Sequence, residues 1–254
     1  MFKFAPKTQT WVVINDLQIP WQDHKTVDRV VDFAQDLRPH GVVMAGDIVD
    51  CYAISDFAKN PMAEFDLKRE IREAGALMKR FYMVQERMWI GGNHEDRLRR
   101  QSWKQMPQLV PTGVLDFENV FRVKDYGFQY KPYGAGFNLG RLMVTHGNIV
   151  SKHSGYSAKA HFEKYGVSVM HGHTHRLGIY YKTDAHGVHA AYENGCLCQM
   201  NPEYAQSPNW QQGFSVVHVD EQSGMFNVQQ IPILPDSTFF YGNTRIGRPI
   251  KVAA

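Results

Sequence analysis

Several short apolar runs in this 254-residue chain stop at a residue able to hold a metal ion. Trp11-Val-Val-Ile14 leads into Asn15-Asp16, Val42-Val-Met-Ala45 into Gly46-Asp47, and Met88-Trp-Ile90 into Gly91-Gly-Asn93-His94. Leu142-Met-Val-Thr145 leads into His146, and Val167-Ser-Val-Met170 into His171-Gly-His173-Thr-His175. Any one of these, Gly46-Asp47 included, reads as an ordinary turn. His directly after a strand is less common than Gly, Asp, Asn or Ser, and here it recurs. Carboxylate, amide and imidazole without thiols make a mixed oxygen and nitrogen donor set suited to Mn2+, Fe or Zn2+. Two such ions roughly 3.5–4 Å apart can share an aspartate, lower the pKa of a bound water to about 7 and offset the charge of a phosphate.

Residues so far apart in the chain meet only if the elements between them return each strand in the same direction. Val27, Val30, Val31, Ala34 and Leu37 fall at helical spacing after the first run, as do Leu67, Ile71, Ala74, Met78 and Phe81 after the second. The pattern predicts β-α-β units whose parallel strands bring their carboxyl ends to one rim, where open α/β folds bind ligands. Further helices are expected over Tyr156 to Tyr165 and, shorter, near Arg97 to Lys104. The runs Val188 to Tyr192, Phe214 to Val219 and Met225 to Ile233 have no helices between them and predict an antiparallel second sheet. Residues 1–254 read as a single domain. Within it, 97–137, with Pro107, Pro111, Pro132 and no sustained period, is expected as an inserted cap-like segment, and 234–254 as an extended C-terminal tail.

With 43% hydrophobic and 21% charged residues, the chain can bury a full core. Its net charge of +3 permits an anionic substrate without the dense Lys/Arg runs of a strong nucleic-acid binder. No apolar run approaches the roughly 18 residues of a membrane span, so no membrane partner is expected. The start, Met1-Phe-Lys-Phe-Ala-Pro6, lacks the apolar run of a signal peptide. Three cysteines, Cys51, Cys196 and Cys198, have no framework spacing, which predicts reduced thiols and a cytoplasmic setting. No second pair completes Cys196-Leu-Cys198 as a metal site, so these read as strand thiols.

In order, the strand-end blocks resemble the signature of the calcineurin-like metallophosphoesterases: D-x-H, G-D-x-x-D, G-N-H-[DE], a lone His, and G-H-x-H. Here they stand as Asp16-Leu-Gln18, Gly46-Asp-Ile-Val-Asp50, Gly92-Asn-His-Glu95, His146 and Gly172-His-Thr-His175. Each block alone is a weak signal, and all of them in order form a specific one. The resemblance covers roughly 11–181. It implies an α/β fold of two packed mixed β-sheets flanked by helices, a β-sandwich of the αββα type. It implies a dinuclear-metal-dependent phosphoester hydrolase in which a metal-bound hydroxide attacks phosphorus. By the same resemblance, Asp16 and His175 would hold a first ion, Asp47 would bridge, and Asn93, His146 and His173 would hold the second. His94 would serve as general acid or stabilise charge on the phosphate, with Asp50 orienting it. One position departs: Gln18 stands where the pattern has His. Its amide oxygen is a harder, weaker donor than imidazole, which tilts expectation toward Mn2+, with Fe2+, Zn2+, Mg2+ and Ni2+ as alternatives. His24 or a water are other ways to fill that place.

Arg176, beside the last ligand, and Arg97, just after Gly-Asn-His-Glu, are expected contacts for the substrate phosphate, because a guanidinium fork matches its geometry. The bland alternative for Arg97 to Arg100 is a solvated helix face. His171 is expected to be a packed residue, and Trp103, Phe128, Tyr130 and Tyr133 a mini-core of the cap. The basic cluster from Arg97 to Lys104, the tail with Arg245, Arg248 and Lys251, and the net charge lean toward a phosphodiesterase or nuclease acting on nucleic acid or a nucleotide. One alternative is a phosphomonoesterase, including a Ser/Thr protein phosphatase, although Cys51 stands where that branch usually continues with Arg-Gly. The other, motivated by Gln18, is a non-catalytic metal-binding scaffold.

Overall fold

The computed structural model describes residues 8–59, 66–201 and 207–247. The first half runs β1 (Thr8–Ile14), α1 (His24–Leu37), β2 (Gly41–Ala45), α2 (Leu67–Lys79) and β3 (Glu86–Ile90). Then come α3 (Asp96–Gln105), α4 (Phe117–Val120), β4 (Gln129–Lys131), β5 (Gly136–Leu139), β6 (Leu142–Thr145), α5 (Tyr156–Tyr165) and β7 (Val169–His171). The chain closes with β8 (Leu177–Asp184), β9 (Gly187–Asn194), β10 (Gly213–Asp220), β11 (Phe226–Pro232), β12 (Phe239–Tyr241) and β13 (Thr244–Ile246).

Two sheets carry the fold, in the orders β11-β10-β1-β2-β3-β4 and β5-β6-β7-β9-β8. Strands β1 to β4 are parallel, as are β6, β7 and β9, while β10 pairs antiparallel with β1 and β11 antiparallel with β10 at the edge of the first sheet. Alternation along the strands sets two cores. Trp11, Val13, Val43, Ala45, Met88 and Ile90 point one way and meet Leu142, Val144, Met170 and Tyr192 of the second sheet. Val12, Ile14, Val42, Met44 and Trp89 point the other way, onto the buried faces of α1 and α2. Helix α5 covers the outer face of the second sheet through Ala158 and Phe162. The result is the four-layer αββα sandwich. The helices are capped as their sequences require: Asp23 accepts from the Thr26 backbone N–H at the start of α1, and Asp66 from that of Lys68 at the start of α2.

The structure corrects the reading of the second half. The predicted antiparallel sheet does not form as a unit. β10 and β11 extend the first sheet, whereas β9 joins the second sheet parallel to β7. The segment 97–137 is also more than a cap over the edge. It contains β4, which pairs with β3, and its Phe117, Phe121, Val123 and Phe128 complete the first core against Trp89. The tail folds back as the β12–β13 hairpin, placing Phe239 edge-on to Phe33 and Phe214 at 5.3 and 5.1 Å. Arg248 and Lys251 lie outside the described residues. No helix among the described residues is long and apolar enough to cross a membrane.

Trp89 is fully buried, edge-on to the stacked Phe117 and Phe121 rings, yet its indole Nε1 has no hydrogen-bond partner among the described residues. Trp89→Ala should therefore cost about 3–5 kcal/mol in urea unfolding, as large cavities do. Trp89→Phe should cost less than about 1.5 kcal/mol, because it also removes a buried unpaired N–H. Equal losses for the two variants would contradict this packing.

Candidate metal centre

The strand ends of both sheets, not of one, converge. Asp16, Asp47 and Asn93 follow β1, β2 and β3, while His146, His173 and His175 follow β6 and β7. Asp16, Gln18, Asp47, His173 and His175 all adopt positive φ, between 49° and 68°. This left-handed conformation is disfavoured for side chains larger than Gly. At i and i+2 it turns both side chains of a pair, Asp16/Gln18 and His173/His175, out of the strand direction and into one space.

The donors fall into two adjoining groups. In the first, His175 Nε2 lies 3.2 Å from Asp16 Oδ1 and 3.2 Å from Gln18 Nε2. A half-turn of the Gln18 amide would put its oxygen at that point, the orientation a metal ligand needs. His24 sits at the exposed start of α1, next to Gln22. In the second group, His146 Nε2 lies 3.3 Å from Asp47 Oδ2 and 3.1 Å from Asn93 Oδ1, and Asp47, His146 and His173 can all offer a ligand atom within 4.8 Å of one another. Donors bound to one ion at about 2.1 Å stand roughly 3 Å apart, so these spacings fit ligands around an ion. The buried Asp16 Oδ1 has no hydrogen-bond partner of its own, which fits the same reading.

Each aspartate is pinned by its other oxygen. Asp16 Oδ2 accepts from the His173 backbone N–H at 2.8 Å and the Asn15 amide at 2.6 Å. Asp47 Oδ1 accepts from the His94 N–H at 2.9 Å. The turns donating these bonds pass so close that a Cβ at Gly92 would lie 2.1 Å from Asp47 Oδ1, and one at Gly172 2.4 Å from Asp16 Oδ2. Beneath the second group, the buried Glu95 carboxylate accepts four backbone N–H bonds, from Gly92, Asp47, Ile48 and Val49 at 2.7 to 3.3 Å. Glu193 of β9 plays a matching part. It accepts from the Thr174 hydroxyl at 2.8 Å, between the two histidines, and from the Gly155 N–H at 2.7 Å.

His94 stands over the second group, with Nε2 3.6 Å from Asp47 Oδ2 and Nδ1 3.3 Å from Asp50 Oδ1. The two arginines expected at the phosphate already hold protein partners. Arg97, mostly buried, donates to the Asp50 carbonyl at 2.7 Å and to its carboxylate, and lies 3.2 Å from His94 Nε2. Arg176, 6% exposed, donates to the carbonyls of Ser151 and Lys152 at 2.6 and 3.0 Å and lies 3.7 Å from Glu193. Sequence shows their charge but not that buried carbonyls and carboxylates claim it. The half-exposed Arg100 donates to the Asn93 carbonyl at 3.1 Å, and the Tyr133 and His146 rings stand 6.2 Å apart between centroids. Of the expected mini-core, Phe128 is buried and Tyr130 stacks on Phe117, but Trp103 is exposed beneath the Arg99 guanidinium. His171 packs against His161, 3.9 Å between centroids.

Burial opposes charge throughout the centre, and its charged neighbours decide the outcome. The His146 and His94 carboxylate neighbours overcome burial to hold both rings above the ordinary pKa, His146 at about 9. The same rings overcome burial to hold Asp47 far below the carboxylate range. His173 goes the other way, down to about 4, through burial and then the charge of His146.

A two-sheet sandwich with carboxylate, amide and imidazole donors at its strand ends is the architecture of a metal-dependent hydrolase. The chain matches the family model of the calcineurin-like phosphoesterases over residues 10–177, and it belongs to that family. The gene 54 protein of Mycobacterium phage D29 is 32% identical over 229 residues, covering 82% of this chain and 88% of the relative. That of phage L5 is 31% identical over 231 residues, 83% and 89% of the two chains. The solved structure of vacuolar protein sorting 29 from Cryptosporidium parvum overlaps 89% of this chain and 98% of its own at a TM-score of 0.48 and 13% identity, too distant to speak of activity.

Two predictions follow from the centre. Glu95→Ala would leave buried N–H groups unpaired at about 1–3 kcal/mol each, so it should lower stability by roughly 3 kcal/mol or more and abolish binding at the Asn93 group. A stable variant retaining two ions would contradict the role of Glu95. The second concerns protons. Stabilisation from the raised His146 pKa in the metal-free protein is fully present below pH 6.5 and lost as pH rises through about 9. A metal ion must displace that proton, so apparent Mn2+ affinity should climb up to about tenfold per pH unit between pH 7 and 9. Calorimetry in buffers of different ionisation enthalpy should count at least one proton released at pH 7, and none would count against it.

Proposed function

We propose that the protein is a two-metal phosphodiesterase with nucleic acid or a nucleotide as substrate, working with Mn2+. The observation that carries the diester reading is the basic face of α3 beside the second donor group. Arg100 lies against the Asn93 backbone, and Arg99 and Lys104 are exposed on the same helix. Such cations suit a polyanion whose backbone runs past the site. The nearby Tyr133 and Trp103 offer ring faces or edges to a base. Lys104 pairs with Asp56 at the surface, where ion pairs are weak and a phosphate can compete, while Arg99 and Arg100 share the mostly buried Asp96. The free thiols of Cys51, Cys196 and Cys198 support a reducing, cytoplasmic setting.

When bound, two divalent ions supply an activated water and neutralise charge at phosphorus. The donor groups support Asp16, Gln18 and His175 at the first ion and Asn93, His146 and His173 at the second, with Asp47 between. His94, whose pKa Asp47 and Asp50 raise against burial, would give a proton to the leaving oxygen or stabilise its charge. Arg97 acts through Asp50: it fixes the carboxylate that holds the His94 ring.

A panel of aryl monoester, aryl diester, cyclic nucleotide, single-stranded and duplex DNA with added Mn2+ tests this. Diesters should be hydrolysed in preference to monoesters. His94→Ala should lose about 10²–10⁴-fold in kcat, and Arg100→Ala should raise KM for DNA and flatten its salt dependence. Preference for the monoester would move the assignment to a phosphomonoesterase, and full activity in His94→Ala would remove its assigned role.

A further inference from the structure

The chain beyond the family match closes over one metal-facing ligand. The Gln211 N–H donates to the His175 carbonyl at 2.8 Å, and the Trp210 ring lies 4.2 Å from the His175 ring. On the ring's far nitrogen, Nδ1, sits the sulfur of Cys198 at 3.6 Å. Cys198 is buried, and the segment it lies on is tied down by an isolated bridge to Gln22 and by the Gln212 amide on its carbonyl at 3.0 Å. The corresponding nitrogen of His146 meets the Ala45 carbonyl at 3.0 Å. A metal-bound imidazole needs such an acceptor on its second nitrogen, which fixes the tautomer, orients the ring and raises its donor strength. At His146 a backbone oxygen does this. At His175 the softer sulfur occupies the place.

We propose that Cys198 is a positioning residue for the first metal site: its sulfur accepts the Nδ1–H of His175 and leaves the Nε2 lone pair aimed at the space shared with Asp16 Oδ1 and Gln18. The contact matters more here than it would beside a second imidazole, because Gln18 contributes only a weak amide donor. Much of the first ion's affinity then rests on Asp16 and on a His175 strengthened from behind. Cys196, His175 and Cys198 also lie within 4.8 Å of one another, close enough to suggest a thiolate site. The ring cannot serve both. Its Nε2 faces the hard carboxylate of Asp16 at 3.2 Å, and binding through both nitrogens would require losing both protons.

The inference rests on the two-ion centre but not on the diester reading, and its test needs no turnover. Mn2+ titration of the full chain, followed by calorimetry and electron paramagnetic resonance, should show two ions bound to the unaltered protein. Cys198→Ala should weaken the first by about 10–100-fold and leave the second unchanged. Cys198→Ser, which keeps an acceptor, should recover most of the loss, and Cys196→Ala, one step removed from the ring, should bind both ions normally. Nitrogen-15 spectra of the Zn2+-loaded unaltered protein should show His175 coordinated through Nε2 and protonated on Nδ1, a readout that stands even if Cys198→Ala fails to fold. A folded Cys198→Ala that binds both ions as tightly as the unaltered chain would overturn the proposal. So would coordination through Nδ1, a thiolate-to-metal charge-transfer band in the Co2+-loaded protein, or binding of one ion only.

Discussion

A buried carboxylate that faces a metal through one oxygen needs its other oxygen satisfied by the protein. Here a backbone N–H from a different motif does the holding. His94 N–H binds Asp47, and His173 N–H binds Asp16. The first bond joins the turns after β2 and β3. The second crosses between the sheets, as does the His146 Nδ1 contact to the Ala45 carbonyl. Neither aspartate is placed by its own strand alone. Each depends on a turn delivered by the parallel register of its neighbours, and on glycines at 92 and 172 that let backbone approach within contact of carboxylate.

This arrangement carries strain. Non-glycine residues at positive φ cost of order 1–3 kcal/mol each, and the metal-facing side chains concentrate them. Two buried glutamates offset the cost by collecting N–H and O–H donors that the sharp turns leave without a ladder. Glu95 gathers the turns after β2 and β3, and Glu193 ties the His173–His175 turn to the start of α5 and, through Arg176, to the loop at Ser151 and Lys152. Arg97 does for Asp50 what these do for the backbone. Much of the charge around the centre is thus spent on holding its shape rather than on meeting a substrate.

The parts of this legible in the sequence are those with a local signal. Apolar runs, helical spacing and turn residues marked the strands, helices and strand-end donors of the first half, because β-α-β units are built from contiguous segments. The edge that β10 and β11 join was not legible. Alternation says that a strand is half-buried but not which neighbour it pairs with, and β10 pairs with β1 across some 200 residues of chain. The charge of Arg97 and Arg176 is visible in the sequence, and the carbonyls they donate to are not. Glu95 was visible as part of a motif, but its role as a four-fold acceptor depends on three-dimensional turn geometry. Cys198 carried no spacing signal, since its relation to His175 exists only once the two turns pack.

The account stands on two ions held by two adjoining donor groups, with Gln18 inside the first. Anomalous diffraction from crystals grown with Mn2+ tests this most directly. The account predicts two peaks a few ångströms apart, one bounded by Asp16, Gln18 and His175, the other by Asn93, His146 and His173, with Asp47 reaching both. A single peak at the Asn93 group, with nothing beside Asp16, would contradict it.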